Sequence, residues 1–218
     1  LYSYVIRQTY DQLSQDLCIH NKPAVIAVFA GGVPGMNDET HLGFFDIPLL
    51  ANIPNLVYLA PTCREESFAM LGWAIRQTDH PVAVRVPDGG VVTSGATFET
   101  EYGALNRYLV TQRGSRVAIL GLGNFYGLGE AAARRIEAAT GIRPTLVNPR
   151  YITGVDEALL EPLRTDHEVV VTLEAGVLDG GFREQIARWC GPPSMRVGCT
   201  RLRNGYPGPR SAPHLPRA

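Results

Sequence analysis

Short apolar runs alternate with helical patterns along most of the chain, and this alternation restricts the fold more than any other feature. The first half contains three such runs, at 23–30, 55–61 and 81–87. Their length and their β-branched residues are typical of strands buried on both faces of a sheet. A capping-box sequence that starts at Thr62 predicts a helix reaching Gln77. Strands that alternate with helices predict a parallel sheet with covered faces.

A second, smaller α/β unit is predicted in the other half. The predicted strands and helices of this unit are 116–123, 127–140, 142–148, 156–163, 167–174 and 180–189. Asp156 has the residue type and position of an N-cap, and Ser3 has the same role for a helix predicted over 3–18. We therefore predict two parallel-sheet α/β domains of unequal size, at 1–90 and 115–190.

The segments outside these two units have different compositions. Residues 88–103 are rich in glycine and have no core period, so the region 91–114 is interpreted as a linker. Residues 191–218 are rich in proline and arginine and nearly lack apolar periodicity. We expect this tail to be disordered or loosely held on the surface, and a translated frameshift would have the same appearance.

Charge and cysteine content limit the classes of function. The net charge is −1 and the pI is near 6.6, so no basic surface predicts nucleic-acid binding. No apolar run has the ~18 residues of a membrane helix. The four cysteines have no metal-binding spacing and are expected to be free thiols in a reducing cytoplasm. Because the first residue is Leu1, we expect the chain to begin inside a longer protein.

Two glycine-containing segments have ordinary structural interpretations. In Gly-Leu-Gly-Asn-Phe-Tyr-Gly at 121–127, Tyr126 occupies the place of the third glycine of a dinucleotide-binding motif. A tight turn between a strand and a helix explains this segment. In the loop at 174–182, an acidic residue at a strand end is followed by a Gly-Gly helix entry. This loop is either local turn geometry or a contact with another domain or subunit.

His41 is the strongest candidate for a functional residue on local sequence. It follows the first predicted strand, at the end where parallel sheets place their ligand sites. Nearby glycines allow the backbone to approach a ligand closely, and the polar side chains of Asn37, Asp38 and Glu39 could orient an imidazole or a substrate. The alternative is an exposed loop histidine without a function. A metal site is not predicted, because no second histidine lies at ligand spacing.

Six segments together resemble one enzyme family. They are 9–17, 32–46 (with Thr-His-Leu-Gly-Phe-Phe-Asp), 53–67, 81–87, 145–160 and 171–182. In this order they are similar to the 1-deoxy-D-xylulose-5-phosphate synthase family of transketolase-like thiamine diphosphate enzymes. The resemblance covers residues 1–190. It implies a partial pyrimidine-binding domain at 1–90 and a transketolase C-terminal domain at 115–190.

The resemblance also implies a reaction and site residues. The family joins a two-carbon unit from pyruvate to glyceraldehyde 3-phosphate, using thiamine diphosphate and Mg²⁺, as a homodimer. It implies that His41 is the catalytic histidine and that Tyr2, Asn37 and Arg7 lie in the substrate site. Val5 corresponds to the residue packed on the cofactor's pyrimidine. The Mg²⁺-diphosphate domain and the activating glutamate of the family are expected to lie outside this chain.

Several positions depart from the family pattern. Val5 stands where the family has phenylalanine, and Gln8 stands where it has arginine, with Arg7 adjacent. Two arginines that hold the substrate phosphate in the family are Ala30 and Asp88 here. An acidic group beside a phosphate is repulsive. Two alternatives therefore stay open: a transketolase-like enzyme with a non-phosphorylated acceptor, and a non-catalytic fragment or split subunit.

Overall fold

The alternation of strands and helices predicted from the sequence is present in the computed structural model, which describes residues 1–32, 41–87, 90–191 and the backbone of 196–199. The strands are β1 (Ala24–Gly31), β2 (Val57–Leu59), β3 (Pro81–Pro87), β4 (Leu109–Gln112), β5 (Arg116–Gly121), β6 (Thr145–Asn148), β7 (His167–Leu173) and β8 (Arg196–Cys199). The α-helices are α1 (Asp46–Leu50), α2 (Arg64–Arg76), α3 (Tyr126–Thr140), α4 (Glu157–Asp166) and α5 (Phe182–Cys190).

The first sheet has three parallel strands in the order β1-β3-β2. The central strand, β3, pairs Val82 with Val25 of β1 and with Val57 of β2. Buried residues dominate β3 because neighbouring strands cover its edges and helix α2 packs near it. The parallel α/β fold class predicted from the sequence is confirmed for this unit.

The second sheet has five strands in the order β4-β6-β5-β7-β8. All neighbours are parallel except β4, which runs antiparallel to β6. The sequence interpretation missed β4, because Leu109–Gln112 lies at a sheet edge and is only partly buried. The expectation of an unstructured tail also fails for Arg196–Cys199, which forms β8 beside β7. The rest of that tail from residue 192 lies outside the described residues.

The start of the chain differs from the predicted single helix. A 3₁₀ helix spans Ile6–Thr9 and a π-helical segment spans Gln12–Cys18. Ser3 is not an N-cap, because its hydroxyl donates to the carbonyl of Ala30 at 2.6 Å and so fastens the opening segment to β1. The N-cap prediction for Asp156 is confirmed, since its carboxylate accepts from the backbone amide of Leu159.

A shared apolar core joins the two sheets. Its largest buried cluster includes Ile47 and Tyr58 from the first unit and Leu120, Val147 and Phe182 from the second. Burial of each such side chain contributes roughly 1.5–3 kcal/mol. The relative position of the two units is therefore fixed by packing as well as by polar contacts. Within the described residues, no helix is long and apolar enough to cross a membrane.

Candidate functional site

The opening residues form the outer edge of the first sheet. Tyr2 pairs with Phe29 of β1 in a parallel bridge, and the amide of Ser3 donates to the Phe29 carbonyl at 2.8 Å. The Phe29 amide in turn donates to the Leu1 carbonyl at 2.8 Å. These backbone bonds hold the Tyr2 side chain beside the carboxyl end of β1, where a parallel sheet offers its ligand site.

An exposed aromatic cluster lies at this edge and consists of Tyr2, Tyr4, Phe29 and His41. The rings of Tyr2 and Tyr4 stack with centroids 5.3 Å apart, and the Tyr2 and Phe29 rings are 6.1 Å apart. The His41 imidazole meets the Tyr4 ring edge-on at 4.5 Å. Tyr2 and Phe29 are 53% and 44% exposed, although aromatic rings of this size are ordinarily buried. The cluster therefore presents flat apolar surface next to a group that can carry a proton.

Two glycines position His41 at the end of β1. The amide of Gly32 donates to the carbonyl of Gly43 at 2.8 Å, and the two residues form an antiparallel bridge. A side chain at Gly43 would collide with the Ala30 carbonyl and with the Ser3 hydroxyl, and Gly32 has a φ of +109°. Only glycine accommodates such close approach. The segment that begins at His41 is thus held against the strand end.

The structure brings together only part of the set of site residues predicted from the sequence. Tyr2 and His41 both belong to the aromatic cluster. Val5 is half-buried and precedes the 3₁₀ helix, and Arg7 is exposed on that helix, outside the cluster. Asn37 lies outside the described residues.

A buried ion pair that sequence reasoning missed lies behind the site and reaches the second unit through Arg85. Arg85 donates from Nε to Asp46 Oδ2 at 2.6 Å and from Nη2 to Oδ1 at 3.0 Å. Its Nη2 also donates to the Ala175 carbonyl of the second unit at 2.8 Å, and the Tyr58 hydroxyl donates to Asp46 at 2.5 Å. Burial alone lowers the pKa of Arg85, but the adjacent carboxylate outweighs burial and the pKa is raised. The Arg85 guanidinium therefore has a structural role in holding the fold together.

The Arg85 side chain also determines the residue at the end of β1. A side chain at Gly31 would lie 2.7 Å from Arg85 Nε, closer than carbon and nitrogen can approach. The strand that carries the aromatic cluster therefore rests directly on the Asp46–Arg85 pair. The loop at 174–182, for which an interdomain contact was one of two interpretations, makes such a contact through the carbonyl of Ala175.

A second buried carboxylate, Glu66, joins the two units without a cation in hydrogen-bonding contact. Its Oε2 accepts from the amide and the hydroxyl of Thr62, each at 2.7 Å, and its Oε1 accepts from Asn148 Nδ2 at 2.8 Å. Burial raises the pKa of Glu66, and the hydrogen bonds from Thr62 and Asn148 offset only part of that rise. The capping-box prediction is wrong in detail, because Thr62 is bonded to Glu66 rather than to Glu65 and the N-cap residue is Cys63.

Arg150 extends this contact into the second unit. Its amide donates to Asn148 Oδ1 at 3.1 Å, and its guanidinium donates to the Arg107 carbonyl and forms an ion pair with Glu99. Burial lowers the pKa of Arg150. Its φ of 62° is rare for a residue with a side chain. The sequence did contain a signal for this contact, because the polar residues Asn148 and Arg150 stand at the end of a predicted buried strand.

No group of three or more His, Cys, Asp or Glu side chains in the described part of the chain is arranged to hold an ion. The aromatic cluster fits one part of a thiamine cofactor, since an aromatic pyrimidine ring can pack on exposed tyrosine and phenylalanine rings.

Comparisons with known proteins agree with this architecture. The family model described as the transketolase pyrimidine-binding domain matches residues 3–91, and the transketolase C-terminal domain matches 107–202. Relatives called 1-deoxy-D-xylulose-5-phosphate synthase include one from Heliobacterium modesticaldum, 37% identical over 85% of this chain, and one from Pseudoalteromonas translucida, 33% identical over 93%. The chain spans only 28% and 32% of the length of these two relatives.

A solved structure gives independent support for the fold. It is described as a split-gene transketolase in an inactive β4 tetramer, and the TM-score with it is 0.76 at 21% identity. The match covers 93% of this chain and 66% of that one, and at this identity it concerns the fold alone. The chain therefore belongs to the transketolase family, and its two matched regions correspond to the pyrimidine-binding and C-terminal domains of that family.

Proposed function

We propose that the chain is part of a thiamine diphosphate-dependent transferase of the 1-deoxy-D-xylulose-5-phosphate synthase type. In this reaction a two-carbon unit from pyruvate is joined to glyceraldehyde 3-phosphate. The observation that carries the proposal is the placement of His41 within an exposed aromatic cluster at the carboxyl end of β1. We assign residues 1–90 to the pyrimidine-binding domain and 115–190, together with strands β4 and β8 of the same sheet, to the C-terminal domain. The rest of 91–114 is assigned to the linker and the rest of 191–218 to an atypical tail.

A role in the reaction or in substrate binding is proposed for each residue of the site. The imidazole of His41 donates a hydrogen bond or a proton to a substrate oxygen, and the Tyr4 ring fixes its orientation. Tyr2 lines the substrate cavity, and Val5 contacts the cofactor from the adjacent turn. Asn37 and Arg7 supply polar groups to the substrate. Thiamine diphosphate would be held against Val5 and the aromatic cluster and would supply the carbanion chemistry of the reaction.

The cofactor and assembly proposals rest on the resemblance to the family. We place the diphosphate and Mg²⁺ on a portion of the enzyme that this chain does not span, because the chain covers about a third of its relatives' length or less. The enzyme is proposed to be a homodimer in the cytoplasm. Three buried free cysteines, Cys18, Cys63 and Cys190, support a reducing compartment.

The decisive test is His41→Ala in the complete enzyme, which contains this chain together with the diphosphate-binding portion. Loss of a positioned acid–base group lowers kcat by roughly 10²-fold or more. His20→Ala is the matched control, because His20 is an exposed histidine in a turn remote from the aromatic cluster in sequence. Steady-state turnover that is unchanged in His41→Ala would refute the catalytic assignment.

A non-phosphorylated acceptor is the second candidate. Arg85, the cation of β3, is fully committed to Asp46 and Ala175, and Ala30 offers only a methyl group. Asp88, which adds negative charge in the sequence, lies outside the described residues. The measurement is kcat/KM for glyceraldehyde 3-phosphate against unphosphorylated aldehydes. A strong preference for the phosphorylated aldehyde would exclude this candidate.

A non-catalytic split subunit is the third candidate. It is supported by the fold neighbour described as an inactive β4 tetramer of a split-gene transketolase. Isothermal titration of the chain with thiamine diphosphate and Mg²⁺ tests it directly. Micromolar binding would exclude an inert subunit, whereas restored activity on mixing with a diphosphate-binding chain would support a split enzyme.

A further inference from the structure

Strand β1 ends in a bulge that contains a residue in an unfavourable backbone conformation. Between Val28 and Gly31 the register with β3 shifts, so two residues of β1 stand opposite one residue of β3. Ala30, one of these two residues, has a φ of +57°. This left-handed conformation is disfavoured for a residue with a side chain, because the Cβ crowds the backbone. Bulges redirect the strand that contains them and are over-represented beside active sites.

The buried Ser3 side chain holds this bulge from the opening segment of the chain. Its hydroxyl donates to the Ala30 carbonyl at 2.6 Å, and its amide donates to the Phe29 carbonyl at 2.8 Å. Ser3 is therefore bonded to both residues of the bulge. Since the side-chain bond forms only where the Ala30 carbonyl faces the Ser3 hydroxyl, it favours the backbone conformation of Ala30 that brings the two groups together.

The Ser3 hydroxyl and the Ala30 carbonyl also lie against the segment that carries His41. Gly43 stands two residues after His41, and a side chain there would collide with both groups. The Gly43 carbonyl accepts from the amide of Gly32 at 2.8 Å, just beyond the bulge. The backbone after His41 is thus packed on the bulge and bonded next to it. A change in the bulge would therefore move the backbone that carries the imidazole.

We propose that Ser3 is a positioning residue for His41. Its hydroxyl holds Ala30 in the left-handed conformation, and the resulting bulge supports the backbone that follows His41. Because Ser3 is 5% exposed and its hydroxyl is bonded to Ala30, it acts through the imidazole rather than on the substrate. The effect of Ser3 on turnover rests on the proposed function of His41, whereas the position of the imidazole can be measured without turnover.

NMR of the 218-residue chain tests the position of the imidazole. The His41 ring lies edge-on to the Tyr4 ring with centroids 4.5 Å apart, so the ring current of Tyr4 displaces the chemical shifts of the His41 ring protons. The His41→Ala variant assigns these signals by their loss. In Ser3→Ala the His41 shifts should move towards those of the exposed His20.

Ser67→Ala is the matched control for this measurement. The buried Ser67 hydroxyl also donates to a backbone carbonyl, that of Cys63 at 2.8 Å, but it does so at helix α2. Urea denaturation shows that both variants are folded, and only Ser3→Ala should move the His41 signals. His41 shifts that stay unchanged in Ser3→Ala, or that move equally in both variants, would overturn the proposal.

A second substitution tests the part played by Ala30. Glycine adopts a positive φ without a steric penalty, so Ala30→Gly favours the bulge without help from Ser3. Added to Ser3→Ala, it should restore about half or more of the lost displacement of the His41 shifts. A double variant whose His41 signals match those of Ser3→Ala would overturn the assignment of Ala30 as the link between Ser3 and His41.

Turnover of the complete enzyme tests the consequence for catalysis. Ser3→Ala should lower kcat about fivefold, the equivalent of one net hydrogen bond, and should change the KM for pyruvate by less than about twofold. In the His41→Ala background it should not lower kcat further, because no imidazole is left to position. Equal losses of kcat in the two backgrounds would overturn the positioning role. Unchanged turnover in His41→Ala alone would refute the catalytic assignment and leave the NMR result on Ser3 in place.

Discussion

Two buried carboxylates lie at the contact between the two units and are stabilised by opposite chemical means. Asp46 holds Arg85, which donates to the Ala175 carbonyl of the second unit. Glu66 accepts directly from Asn148 of the second unit.

Asp46 is fully buried and is neutralised by a bidentate contact with Arg85. Glu66 is equally buried, but its hydrogen-bond donors, Thr62 and Asn148, are uncharged. Removing the charge of the carboxylate should destabilise an ion pair more than a contact with neutral donors. Comparing the two contacts therefore distinguishes the electrostatic contribution to the stability of the fold from the hydrogen-bonding contribution.

The difference also concerns the aromatic cluster. The Asp46–Arg85 pair lies directly behind Gly31 at the end of β1, so it supports the strand that carries Phe29 and Tyr2. Glu66 instead connects the end of β2 to the end of β6, where it accepts from Asn148. The same Asn148 side chain accepts from the amide of Arg150. The ion pair therefore supports the candidate site itself, and Glu66 supports the contact between the two units.

The largest expected effect belongs to Asp46→Asn. This change removes the carboxylate that contacts the buried Arg85 guanidinium, which lowers the free energy of unfolding by about 3–5 kcal/mol. Urea denaturation at pH 7 measures the change, and circular dichroism reports whether the variant is folded without denaturant. A loss below about 1 kcal/mol would mean that hydrogen bonds rather than charge hold this contact.

An exposed ion pair provides the control for this prediction. Arg116 and Glu168 form a bidentate contact at 2.7 and 3.2 Å, yet their side chains are 55% and 64% exposed. Water screens such pairs, so Glu168→Gln should leave the unfolding midpoint unchanged. A large effect in this control would show that exposure does not distinguish the two pairs.

Glu66→Gln should have a smaller effect. The glutamine side chain has one oxygen where the carboxylate has two, so one of the three donors from Thr62 and Asn148 loses its acceptor. A buried donor left unsatisfied costs about 1–3 kcal/mol in the free energy of unfolding. Glu137→Gln makes the same chemical change on the exposed side of α3 and is the control. A cost for Glu66→Gln equal to that of Asp46→Asn would abolish the distinction between the two contacts.

Apolar periodicity and capping residues predicted the strands and helices whose signal lies within their own sequence. The strands β5 and β7, the helix α4 and its Asp156 cap appear where the apolar period and capping residues placed them. The edge strand β4 was missed, because its four half-buried residues carry no pattern that distinguishes them from a linker. Its antiparallel pairing is determined by β6, about 35 residues later in the chain.

The candidate site also has residues that the sequence predicts and contacts that it does not predict. The motif and the family resemblance predict His41 and Tyr2 as site residues, and the structure places both in the aromatic cluster; their roles stay predictions. The pairing of Arg85 with Asp46 joins residues 39 apart and that of Glu66 with Asn148 joins residues 82 apart, distances over which a single sequence carries no register. A signal was available for the first pair, since an arginine within the apolar run 81–87 requires a buried counter-charge.

The smallest expected effect is the pH dependence of Glu66→Gln. Burial raises the pKa of Glu66 in the folded chain above its unfolded value, so the folded state binds more protons over that interval. Where the folded state binds more protons, stability falls as pH rises. The stability that Glu66 contributes is therefore greatest below its unfolded pKa, near 4.5, and declines until pH exceeds the folded pKa.

The measurable consequence is that the cost of Glu66→Gln shrinks between pH 4.5 and pH 7, by at most ~1.4 kcal/mol per pH unit. Urea denaturation of the wild type and the variant across this range gives the difference directly. Glu174 also has a pKa raised by burial, but it is present in both proteins and its titration cancels in the comparison. A cost that grows with pH would mean that the donors from Thr62 and Asn148 stabilise the charged form of Glu66 more than burial destabilises it.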